Sequence, residues 1–117
     1  MTDFFLWNIC FDTLLSPIFN MHLCQGGVLG LDGFIYAIPS DAKNVLRVDT
    51  RPGESTVRDD RNEVTLVGDL PPKKDKWQGG FISTNGTIYG IPENFDKIMK
   101  LTPPLPGHTG EPKLEYL

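Results

Sequence analysis

The chain has 117 residues, enough for one small domain, and an ordinary globular composition of 39% hydrophobic and 22% charged residues. Its net charge of −4 excludes nucleic acid as the main partner, because neutralising phosphate needs clustered Lys and Arg. Two cysteines, Cys10 and Cys24, and two histidines, His22 and His108, form no spacing that holds zinc. A disulfide has no support in spacing alone, and buried thiols are the expectation.

Residues 1–24 are apolar, but Asn8, Asp12, Pro17 and His22 interrupt the run and no Lys or Arg precedes it. A spanning helix needs about 20 mostly apolar residues, and a secretory signal needs a basic start. Neither pattern is present, so no membrane partner is expected and a soluble chain, cytoplasmic by preference, is. Three readings of this segment stand: the remnant of a preceding repeat with a strand over Phe11 to Leu15, a divergent signal, or an unrelated piece. The first is preferred.

Residues 25–50 and 78–103 are then two versions of one string. QGGVLGLDGFIYAIPSDAKNVLRVDT aligns with QGGFISTNGTIYGIPENFDKIMKLTP without a gap, at a spacing of 53 residues and with 8 of 26 positions identical. Chance would give roughly one or two. Such a repeat is a supersecondary unit that buries apolar surface against its own copies. The units are assigned to residues 25–77 and, incomplete, 78–117.

Within each unit a glycine pair, Gly26-Gly27 or Gly79-Gly80, opens an apolar run. No Lys-Ser/Thr and no helical pattern follows, so these are not phosphate loops but places where strands approach closely. Asp32-Gly33 and Asn85-Gly86 sit between two apolar runs and predict hairpins, because a tight turn needs a positive φ that glycine supplies. Asn85-Gly86-Thr87 also matches a glycosylation sequon, although the first copy keeps the turn without it. Pro39 and Pro92 end the second strand, since proline donates no ladder hydrogen bond. The runs at 45–48 and 98–101 predict strands covered on both faces, and 63–67 and 113–117 supply a fourth. The stretch 51–62 is a charged loop. Each unit reads as a four-stranded antiparallel meander, and no long 3.6-residue period predicts a helix.

The strings DGFIYAIP…NVLRVDT and NGTIYGIP resemble β-propeller blades of kelch-like or NHL-like type. Ile-Pro stands where kelch repeats carry Gly-Gly, and the period lies nearer kelch than NHL. The resemblance implies an all-β fold of two consecutive four-stranded antiparallel propeller blades stacked face to face. Two blades cannot close a ring, so uncovered apolar faces are expected, with self-association or further blades to cover them.

Function is less legible. The leading expectation is a non-catalytic binding module for a protein or glycan, with no cofactor or bound metal required. Tyr36 and Tyr89 hold equivalent positions and read as packing between blades. Trp77 reads as a wedge at the repeat junction or as a contact residue. The resemblance to propellers of the gluconolactonase kind supplies a rival, a metal-dependent lactonase or hydrolase, for which Asp41 and Asn94 are the matched pair. A truncated product without activity of its own is the third reading. No Ser-His-Asp or Cys-His set can be assembled.

Overall fold

The computed structural model describes residues 23–51 and 64–117. Eight strands follow in order: β1 (Cys24–Leu29), β2 (Phe34–Pro39), β3 (Val45–Asp49), β4 (Val64–Val67), β5 (Trp77–Ile82), β6 (Ile88–Pro92), β7 (Met99–Thr102) and β8 (Lys113–Tyr116). They make two four-stranded antiparallel sheets, β1–β4 and β5–β8, each with its strands in sequential order. No helix occurs among the described residues. The expected strand over Phe11 to Leu15 and most of the charged loop lie outside the described residues.

The two sheets repeat each other in detail. In the first hairpin the Gly30 N–H donates to Phe34 O at 2.8 Å and the Gly33 N–H to Gly30 O at 3.1 Å. In the second, Ser83 and Gly86 make the same bonds at 2.8 and 3.0 Å, to Thr87 O and Ser83 O. The loop therefore has three residues, and only its last, Gly33 or Gly86, takes a positive φ (86° and 93°). The residue before it works through its side chain. Asp32 Oδ1 accepts the Phe34 N–H at 3.2 Å, and Asn85 Oδ1 accepts the Thr87 N–H at 3.1 Å. Asp and Asn interchange here because each offers that oxygen.

The innermost strands also match. β1 gains one residue over β2 between Cys24 and Gly27, and β5 gains one over β6 between Trp77 and Gly80. These bulges carry the glycine pairs to the place where β1 meets β5. A Cβ on Gly26 would lie 3.4 Å from Gly79 Cα, and one on Gly80 would lie 2.6 Å from Tyr89 O and 3.1 Å from Ile38 Cδ1. A side chain on Gly80 would clash with the neighbouring strand of its own sheet and crowd Ile38 of the facing one, whereas Gly26 sits at van der Waals distance from its partner.

One core joins the sheets. Val28, Tyr36, Ile38 and Val45 of the first cluster with Trp77, Ile88, Met99 and Leu101 of the second, and Leu70 closes the cluster from the connecting segment. The opposite face of the first sheet is buried as well, in a cluster of Cys24, Ala37, Leu46 and Val48. The sequence reading expected both outer faces to be bare, and only that of the second sheet is. Cys24 is disulfide-bonded, which corrects the expected thiol; Cys10 lies outside the described residues.

The main chain ties the sheets together as well. The segment leading into β5 runs between the β2–β3 loop and the β6–β7 loop. Its Lys76 N–H donates to Ser40 O at 3.1 Å and its Asp75 N–H to Asp41 Oδ1 at 2.8 Å. On the other side Glu93 and Asn94 donate their N–H groups to Lys76 O and Asp75 O at 2.9 and 2.7 Å. The first copy repeats the second half of this pattern, with Ser40 N–H donating to Leu23 O at 2.9 Å.

Candidate functional site

Sequence reasoning singled out Trp77, Asp41 and Asn94. The structure brings all three to the junction of the sheets. Trp77 is fully buried; its indole N–H donates to Lys97 O at 2.9 Å, and its ring lies against Phe95 and Tyr116 at centroid distances of 4.9 and 6.0 Å. It fits because Gly90 faces it: a Cβ there would come within 3.3 Å of Trp77 Cγ. Asp41 accepts the Asp75 N–H, and Asn94 Nδ2 donates to Lys74 O at 3.4 Å. Both side chains therefore hold the connecting segment between them. No group of three or more His, Cys, Asp or Glu among the described residues is placed to hold a metal ion.

Two buried polar features were not foreseen. Tyr36 donates its hydroxyl to Asp32 Oδ2 at 2.6 Å and accepts from Arg47 Nε at 2.9 Å. Arg47 also lies 3.3 Å from Asp32 and sits 3.6 Å over the Phe34 ring. Arg51 covers the same ring at 4.6 Å and pairs with Asp49 through two nitrogens. Each guanidinium is matched by a carboxylate, so the cluster is a neutral lock on the first sheet. The second feature is Lys76, buried beside Asp41, whose ammonium donates to Lys73 O at 2.8 Å.

These groups give stability an alkaline signature. Burial, with the hydrogen bond to Asp32, raises the Tyr36 hydroxyl above its ordinary value of 10.0. The folded state then holds that proton after the unfolded state has lost it, so the contribution is complete below pH 10 and is lost as pH rises above it. Burial lowers Lys76 from 10.5, so between its folded value and 10.5 the unfolded state carries more protons and stability rises with pH. Urea unfolding across pH 7–11 will show both slopes. Tyr36→Phe reduces the loss above pH 10, the Tyr116 hydroxyl, also raised by burial, keeping a share of it, and Lys76→Met removes the gain below 10.5.

The feature that sets the copies apart is burial at equivalent positions. Val28, Ile38 and Val45 are 8%, 0% and 0% exposed, whereas their counterparts Phe81, Ile91 and Ile98 are 51%, 43% and 40% exposed. Tyr36 is buried and locked; Tyr89 is half-buried and stacks on Phe81 at 5.3 Å. Asn85, Thr87 and Lys100 replace Asp32, Phe34 and Arg47, so the charged lock has no second version. Phe81, Tyr89, Ile91 and Ile98 thus form an exposed apolar patch on a rigid sheet, with Lys100 beside Tyr89 in the ladder and Glu115 beyond it. Neighbouring exposed apolar side chains on one face are a feature of interaction surfaces.

The chain matches no family model, no curated protein and no solved structure. No helix among the described residues is long and apolar enough to cross a membrane. The geometry of the patch and of the junction therefore carries the functional argument.

Proposed function

We propose that this chain is a non-catalytic interaction module built from β-propeller-type blades, kelch-like or NHL-like, which works by docking protein on the uncovered face of its second sheet. The supporting observation is the contrast between the copies: the positions that form the core in the first are solvent-facing in the second. The repeat of bulge, turn and loop hydrogen bonds supports the blade reading, since both sheets are built to one plan. The patch is apolar at its centre and carries Lys100 and Glu115 beside it, the pattern of a protein-binding surface with a polar border. The disulfide at Cys24 favours an oxidising compartment over the cytosol. Iodoacetamide should leave Cys24 unlabelled in protein purified without reductant, and labelling of Cys24 would remove that support.

The test is direct. The wild-type chain will bind the apolar dye ANS and will associate in a concentration-dependent way in sedimentation. A Phe81→Ser/Ile91→Ser variant will lose both properties while its circular dichroism and thermal midpoint stay near the wild type. A wild-type chain that is monomeric at every concentration and binds no dye defeats the proposal.

A further inference from the structure

The interaction reading leaves the occupant of the open face unnamed, and three observations specify it. The first is the residue match. Tyr89 and Ile91 repeat Tyr36 and Ile38 unchanged, and Ile98 repeats Val45 with one more methylene. At the remaining positions Val28 becomes Phe81 while Phe34 becomes Thr87, so an enlargement beside Tyr89 is offset by a reduction on the same face. In the first sheet this set of residues receives Trp77, Ile88, Met99 and Leu101.

The second observation is the main-chain clamp. Ser40 O and Asp41 Oδ1 receive the N–H groups of Lys76 and Asp75, the lead into the next sheet. Glu93 O and Asn94 Oδ1 hold the equivalent places in the second copy and are exposed, whereas Ser40 is buried. The third is the bulge. A Cβ on Gly26 would touch Gly79 Cα at 3.4 Å, but one on Gly79 would meet nothing within 4 Å, so the space that the second sheet fills beside the first is open beside the second.

We infer that the open face takes a third sheet of this same repeat, docked in the register that the first two sheets show, with its lead-in segment donating to Glu93 O and Asn94 Oδ1. This deepens the interaction reading and rests on it. A second copy of the chain docked head to tail does not meet the requirement. The face it would have to offer, that of Cys24, Ala37, Leu46 and Val48, is already buried. The occupant is therefore a sheet whose Trp/Ile/Met/Leu-type face is free.

The probe is the chain extended at Leu117 by one more copy of its own residues 68–117. Ile91→Cys reports on the docked face, because Cys24 is disulfide-bonded and does not compete for a maleimide. At protein concentrations where the 117-residue chain is dissociated, the Ile91→Cys thiol will react freely, and in the extended chain at the same concentration its rate will fall at least tenfold. Asn94→Asp restores the acceptor of the first copy and removes the donor to Lys74 O. It will raise the thermal midpoint of the extended chain and not that of the 117-residue chain. Equal maleimide rates in the two chains overturn the inference. So does hydrogen exchange showing the added residues unfolded on an intact two-sheet body. If the 117-residue chain neither binds ANS nor associates, the interaction reading itself fails. If it does both and the extension leaves position 91 reactive, only the third-sheet inference fails and the face serves a different protein.

Discussion

Trp77→Ala will cost about 3–5 kcal/mol of unfolding free energy, the range for removing a buried aromatic side chain from a core. Trp77 stands where three supports meet: the Phe95 and Tyr116 rings, the backbone of Gly90, and the Lys97 carbonyl that accepts its N–H. Truncation leaves a cavity between the sheets and a carbonyl without that donor. Gly90 has no side chain to move into the space. A small domain has only about 5–15 kcal/mol in total, so the variant will sit near the edge of folding. Urea titration gives the loss from the midpoint, provided the slope is unchanged. A loss below about 1 kcal/mol would show that the indole is not part of the inter-sheet core. Trp77→Phe, which keeps most of the ring contact but not the donor, will recover more than half of the loss.

The second large effect is a contrast. Ile38→Asp and Ile91→Asp change the same residue at equivalent places in the repeat. Ile38 has no exposure and touches the second sheet, where a Cβ on Gly80 would meet its side chain. A carboxylate there is unpaired in an apolar interface, and the expected cost is at least about 4 kcal/mol, enough to part the sheets. Ile91 faces solvent, and the expected change is within about 0.5 kcal/mol. Equilibrium unfolding of both variants at low protein concentration decides the matter. Equal costs would mean that the two faces are covered alike and would remove the basis for docking at Tyr89.

Much of the fold was legible because the repeat shows each local decision twice. Pro39 and Pro92 end their strands as proline should, and the apolar run at 45–48 is buried on both faces apart from Arg47, whereas the run at 98–101, expected to match it, is covered on one face only and leaves Ile98 exposed. The turn was located but its form was not. Asp-Gly marks a tight turn without giving its length, and only the hydrogen bonds of Gly30 and Ser83 show that the loop has three residues. Asp41 and Asn94 were paired correctly by alignment, yet their contacts to the segment 74–76 could not be read from spacing, because that segment belongs to neither aligned block. The Asp32–Tyr36–Arg47 lock was missed for a related reason. Its members are 4 and 11 residues apart along the chain from Tyr36, and only the pairing of β2 with β3 brings Arg47 beside the tyrosine. The one available signal was that the second copy keeps the tyrosine but replaces both of its charged partners, Asp32 by Asn85 and Arg47 by Lys100. The candidate surface was signalled by expected bare faces, but nothing in the sequence said which of the two would be covered.

The bond from Lys76 N–H to Ser40 O, with its neighbours across Asp75, has a consequence for how such sheets are arranged in space. Because main-chain atoms of consecutive sheets are tied to one another, the angular step from one sheet to the next is fixed by peptide geometry. Side chains between them govern how firmly that step is held. Apolar side chains that respect the space left by the glycines can therefore exchange in the contact while the angle between these two sheets stays set by that tie.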